Sequence, residues 1–120
     1  MTTGIIVFAH GSRVESANVA VRAVAKDLAR AGGFGHVEAA FLELGQPDLE
    51  GAVAALAKAG AERIVVIPYF LTLGLHMERD LPRLIEDISR KYNGLDITVT
   101  APLDGHPGLV QVLLDRARNS

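Results

Sequence analysis

Four times along the chain a run of strand length gives way to a longer stretch with apolar residues at helical spacing, and this alternation leaves few folds open. A helix between successive strands makes the strands parallel, because a parallel pair needs a long crossover. The first run, Gly4 to Ala9, contains Ile5-Ile6-Val7-Phe8, and the third is Ile64-Val65-Val66-Ile67. Both are apolar on two faces, as strands covered by helices on both sides must be. The second run is Val37 to Leu42, and the fourth, Asp96 to Thr100, alternates, with only Ile97 and Val99 strongly apolar. The first and third strands are therefore expected at the centre. Right-handed crossovers then predict a three-layer α/β domain of flavodoxin-like type, a four-stranded parallel sheet of order 2-1-3-4 with helices on both faces.

The intervening helices carry their own signals. Residues 16 to 31 place Ala17, Val21, Val24, Leu28 and Ala31 on one side, and Gly32-Gly33 ends them. A second helix is expected from Pro47 to Gly60, where a proline suits the first turn. The third carries Leu81, Leu84, Ile85, Ile88 and Tyr92, stops near Asn93-Gly94, and accommodates Pro82 only near its start. A last helix opens at Pro107 and is expected to bury Leu109, Val110, Leu113 and Ala117. Residues 68 to 80 read as a long loop rich in Tyr69, Phe70, Leu71, Leu73 and Leu75. Such a loop either walls a flat ligand or a second subunit, or folds back over the sheet edge.

Composition narrows the function. At 120 residues the chain is read as one domain, residues 1–120, long enough to bury a core. Cysteine is absent, so any metal must be held by histidine, carboxylate or water. A net charge of −2 argues against a nucleic-acid binder. The most apolar segment, residues 64 to 75, holds Pro68 and Gly74 and falls short of the ~20 residues of a spanning helix. With no basic leader after Met1, a cytoplasmic protein without membrane attachment is expected.

In parallel α/β sheets ligands bind beyond the carboxyl ends of the strands. His10 follows the first strand, Glu43 the second, and His106 the fourth, while His76 lies in the segment after the third. Only His36 falls at the opposite end. Imidazole binds Co²⁺, Ni²⁺, Fe²⁺ and Zn²⁺, and two imidazoles with a carboxylate leave coordination positions open, as an ion in transit requires. The spacing forms no compact metal motif, so convergence on one rim carries the reading. Other chemistries fit less well. Ser12 lacks the G-x-S-x-G elbow of a hydrolase, and Gly11, Ser12 and Ser16 make only a thin phosphate or flavin loop. Ala9-His10 stands where a phosphoacceptor site would need acids.

Three stretches of the sequence are distinctive: Ala9-His10-Gly11-Ser12-Arg13, Phe41-Leu42-Glu43 with Pro47, and Pro68-Tyr69-Phe70-Leu71 through Gly74-Leu75-His76 to Asp80-Leu81-Pro82. With Gly105-His106-Pro107 they resemble the short sirohydrochlorin chelatases of CbiX type over essentially the whole chain, the third stretch most specifically. The resemblance implies an ATP-independent class II chelatase that inserts a divalent metal, Co²⁺ first and Fe²⁺ or Ni²⁺ as alternatives, into sirohydrochlorin in cobalamin or siroheme formation. It implies a homodimer completing the bilobed cleft of longer relatives, and no organic cofactor. His10 and His76 take the metal-binding roles, and Glu43 that of the acidic partner in catalysis. Ser12, Arg13, Tyr69, Phe70, Leu71, Thr72, Leu73, Gly74, Leu75 and Arg79 are the expected substrate contacts, with Arg83 a further basic candidate, and His106 is assigned a structural role. A non-catalytic metal or tetrapyrrole carrier would use the same rim.

Overall fold

A computed structural model describes residues 2–120. Its strands β1 (Thr3–Ala9), β2 (Val37–Phe41), β3 (Arg63–Pro68) and β4 (Asp96–Val99) form one parallel sheet in the order β2-β1-β3-β4. The topology is the one expected from the sequence. β1 lies between β2 and β3, with Val7 in register with Ala39 and Ile67, and Phe8 with Ala40 and Pro68. Alternate residues therefore serve opposite faces. Ile6, Phe8, Ala40, Ile64 and Val66 meet the helices α2 (Leu49–Lys58) and α3 (Gly74–Lys91), whereas Val7, Ala9, Ala39 and Phe41 meet α1 (Glu15–Gly32).

Boundaries differ from the sequence reading in instructive places. α2 begins at Leu49, not Pro47, because the Asp48 side chain caps it by accepting from Gly51 N at 2.8 Å. Pro47 cannot be helical while its carbonyl accepts from Phe41 N at 2.9 Å beside β2. On α1 the buried stripe runs through Asn18, Val21, Ala25 and Leu28, leaving Ala17 and Val24 exposed. The expected stripe of Ala17, Val21, Val24, Leu28 and Ala31 is thus displaced, with Ala31 exposed as well and Asn18 and Ala25 buried in its place.

The larger correction concerns residues 68 to 80. The connection after β3 closes by Leu73, and Gly74 to Asp80 form the first turns of α3, so Leu75, His76 and Arg79 are helical. Pro82 therefore sits inside the helix, where losing one hydrogen bond and crowding the preceding turn costs about 3 kcal/mol. The apolar stripe continues across it: Leu81 and Ile88 are fully buried, with Met77, Leu84 and Ile85 packed around the same core. Burying such side chains returns about 1.5–3 kcal/mol each, which outweighs one proline.

The last helix, α4 (Pro107–Arg118), starts where expected, with Pro107 in its first turn, but buries none of its residues. Leu109 is half-buried, but Val110 and Leu113 are 66% and 68% exposed and Ala117 is exposed too, so most of the expected core face of this helix has no cover among the described residues. No helix among the described residues is long and apolar enough to cross a membrane. Replacing Leu81 with alanine should cost about 2–5 kcal/mol in urea unfolding, and Leu75→Ala, at an exposed position on the same helix, less than about 0.5 kcal/mol.

Candidate functional site

The carboxyl ends of β1 and β2 stay paired beyond the strands. Leu42 N donates to Ala9 O at 2.9 Å and Glu43 N to His10 O at 3.1 Å. This extension sets His10 beside Glu43, with Nδ1 of the imidazole 4.0 Å from Oε1 of the carboxylate. Both side chains are more than half exposed, at 60% and 58%, so their attraction is weakened by solvent and does not lock either group. Between them Gly11 adopts φ 94°, and a Cβ there would fall 1.7 Å from the Glu43 carbonyl oxygen. Only glycine fits this crossing.

His76 reaches the same place from another element. On the first turns of α3 it lines an open cleft of about 420 Å³ together with His10, Phe70, Thr72, Leu73 and Asp80. Among the described residues no group of three or more histidine, aspartate or glutamate side chains is gathered closely enough to enclose a metal ion. The two imidazoles thus face a shared opening without closing it. An ion held there would keep coordination positions for an incoming ligand, unlike one in a four-ligand structural site.

The segment after β3 divides its apolar residues between core and surface. Phe70 stands edge-on to Phe8, ring centres 6.0 Å apart, and to the His10 imidazole at 6.4 Å, so it links the core to the cleft wall. Leu73 also packs on the core, whereas Tyr69, Leu71 and Leu75 are exposed, the last at 82%. This segment is fixed to the loop after β4 by Leu103 N donating to Phe70 O and Asp104 N to Leu71 O.

Other sequence candidates fall around this cleft with different roles. The Ser12 hydroxyl accepts from Val14 N at 3.0 Å and shapes the turn into α1. Arg13 and Arg79 are exposed, Arg79 one turn beyond His76 on α3. His106 caps α4, its Nδ1 accepting from Gly108 N at 2.9 Å, which is the structural role expected of it. Asp80 and Met77 were not singled out, although both line the cleft. The i+4 spacing of Asp80 from His76 would have revealed it had the helix been read from Gly74, whereas Met77, at i+1 and packed partly on the core, carries no such signal.

Arg22 braces the Glu43 loop from behind: it donates to Gln46 O at 3.0 Å, lies over the Phe41 ring, and bonds Glu15 at 2.7 Å. The hydrogen bond from Arg22 lowers the Glu15 pKa, so this pair adds stability above the usual carboxylate range and loses it as the pH falls through the lowered value.

The protein is thus a parallel α/β domain with two imidazoles lining an open cleft and a carboxylate beside one of them. Comparison gives the family: the CbiX family model matches residues 4–120, and the chain belongs to the CbiX family. It is 35% identical over 116 residues to the chloroplastic sirohydrochlorin ferrochelatase of Arabidopsis thaliana, covering 97% of this chain and 52% of the plant protein. Against the sirohydrochlorin cobaltochelatase of Methanopyrus kandleri it is 29% identical over 136 residues, covering 97% and 95%. The fold matches the sirohydrochlorin chelatase SirB from Bacillus subtilis in complex with cobalt at a TM-score of 0.86 and 28% identity, over 99% of this chain and 51% of that one. The chain thus spans about half the length of the plant and Bacillus proteins and nearly all of the archaeal one.

Gly11→Ala is expected to lower the melting temperature by several degrees or prevent folding, because its Cβ has no room beside the Glu43 carbonyl. Gly94→Ala, also at positive φ but with open space around it, should be milder; circular dichroism melts of both variants test this.

Proposed function

We propose that the protein is a cytoplasmic sirohydrochlorin chelatase that inserts a divalent metal into the macrocycle without ATP. One observation carries the reading: His10 and His76, distant in sequence, line the same open cleft, with Glu43 beside His10. Insertion requires both inner pyrrole N–H protons to leave, and these are too weakly acidic to do so unaided. A divalent ion next to the ring lowers that cost, and a positioned base receives the proton. In this mechanism His10 and His76 hold the metal substrate, and the two protons pass to Glu43 and to one of the histidines as it is released from the metal during ligand exchange. The exposed wall of Tyr69, Leu71 and Leu75 supports the flat face of the tetrapyrrole, with Phe70, Thr72, Leu73 and Gly74 beneath. Arg13 and Arg79 meet its carboxylates, and Ser12 adds a hydroxyl at the same rim.

The metal proposed is Co²⁺, although imidazole and carboxylate accept Fe²⁺ and Ni²⁺ as well. Anaerobic incubation with sirohydrochlorin and each ion in turn, followed in the visible spectrum, separates them. A chelatase gives many turnovers and the fastest ion names the metal, whereas at most one equivalent of product marks a carrier. His76→Ala should lower kcat/KM by about 100-fold or more while leaving the melting temperature unchanged. An unaltered rate would remove His76 from the mechanism.

The proposed working unit is a homodimer. Two features support it: the uncovered apolar residues of α4, and relatives of double length of which this chain matches one half. Light scattering coupled to gel filtration should give twice the chain mass, and Leu113→Asp should shift the protein to monomer. A monomeric wild type would exclude this arrangement.

A further inference from the structure

Beyond the backbone hydrogen bonds that set His10 beside Glu43, a buried side chain makes a second tie between their loops. Asn18, in the first turns of α1, is 1% exposed and the one polar side chain buried among the described residues. Its Oδ1 accepts from Ser12 N, and its Nδ2 donates to the carbonyl oxygens of both Ser12 and Leu44, all at 2.9 Å. One amide thus ties the loop after β1, which begins at His10, to the loop after β2, which carries Glu43.

A second observation indicates that this tie constrains the loop. Leu44, next to Glu43, has φ 57°, a left-handed conformation that a residue with a Cβ rarely adopts. Such a conformation persists where the surroundings over-determine it, and the amide of Asn18 holds the Leu44 carbonyl. Gly45 completes the packing, since a Cβ there would lie 2.9 Å from the Phe41 ring and 3.2 Å from Asn18 Nδ2.

We infer that Asn18 is a positioning residue of the metal site: by fixing the Ser12 and Leu44 carbonyls it sets the separation and orientation of His10 and Glu43. The inference rests on the chelatase reading above. Contacts behind metal-facing groups characteristically matter about 10- to 100-fold to metal affinity. A merely structural Asn18 would instead affect stability alone. Val21, half-buried on the same helix and against the same core, provides the control.

The test measures Co²⁺ binding by ligand-field absorption, kcat/KM, and melting temperature for wild type, Asn18→Ala and Val21→Ala. Both variants should melt earlier, but only Asn18→Ala should lose about 10- to 100-fold in Co²⁺ affinity and in kcat/KM. Its crystal structure should show Leu44 relaxed from the left-handed region and the spacing of His10 and Glu43 changed. Equal Co²⁺ affinity in the two variants, or an unchanged site in the Asn18→Ala crystal, overturns the inference. If Asn18→Ala does not fold, adding Leu44→Gly, which removes the conformational strain, allows the same comparison. A wild type that neither binds Co²⁺ nor turns over defeats the chelatase reading itself, a result distinct from one confined to Asn18.

Discussion

The structure depends on β1 being paired on both edges and covered on both faces. That constraint requires Ile5 to Ala9 to be apolar without interruption and leaves the first polar side chain, His10, where the strand emerges from cover. Because β2 runs parallel to β1 and in register, its own first charged side chain after Phe41 emerges alongside. The neighbouring positions of His10 and Glu43 thus start from sheet hydrogen bonding continued for two residues past the strands, and the Asn18 amide ties the loops that follow. Their attraction across 4.0 Å of solvent is too weak to create the arrangement.

His76 arrives by a different route. It is carried on a helix anchored to the core by buried Leu81 and Ile88 and half-buried Leu84, with His76 on its exposed first turns. Phe70 joins the two systems, touching Phe8 in the core and His10 at the rim. One half of the cleft is therefore borne by the sheet end and the other by a helix end. The proposed metal insertion would benefit from such a division, since lining groups that do not enclose an ion leave it free to move on.

The two uncovered features of the chain have different physical meanings. Exposed Tyr69, Leu71 and Leu75 lie beside polar cleft residues, as expected of a surface that receives a flat, partly apolar ligand. The apolar side chains of α4 have no such polar centre, and a protein surface suits them better than a small molecule. In the double-length relatives, half of the chain corresponds to this domain. The proposed pairing of two copies accounts for both facts with a single contact.

Sheet order, the central placement of β1 and β3, and the shared rim of His10, Glu43 and His76 were legible because hydrophobic periodicity and right-handed crossovers admit few alternatives. What the sequence concealed were features in which one local rule was overruled by packing. Pro82 suggested a helix start, but the apolar stripe on either side of it carried α3 back to Gly74 and placed Asp80 in the cleft. Nothing in the local pattern marks Asn18, whose burial depends on three backbone groups from two loops converging on it. The sequence by itself determined which elements form and at which end of the sheet polar chemistry gathers, since both depend on nearest-neighbour pattern. Tertiary structure alone decided how far apart the imidazoles lie, which amide ties the His10 and Glu43 loops, and that most of α4 remains uncovered, because those outcomes depend on contacts between segments remote along the chain.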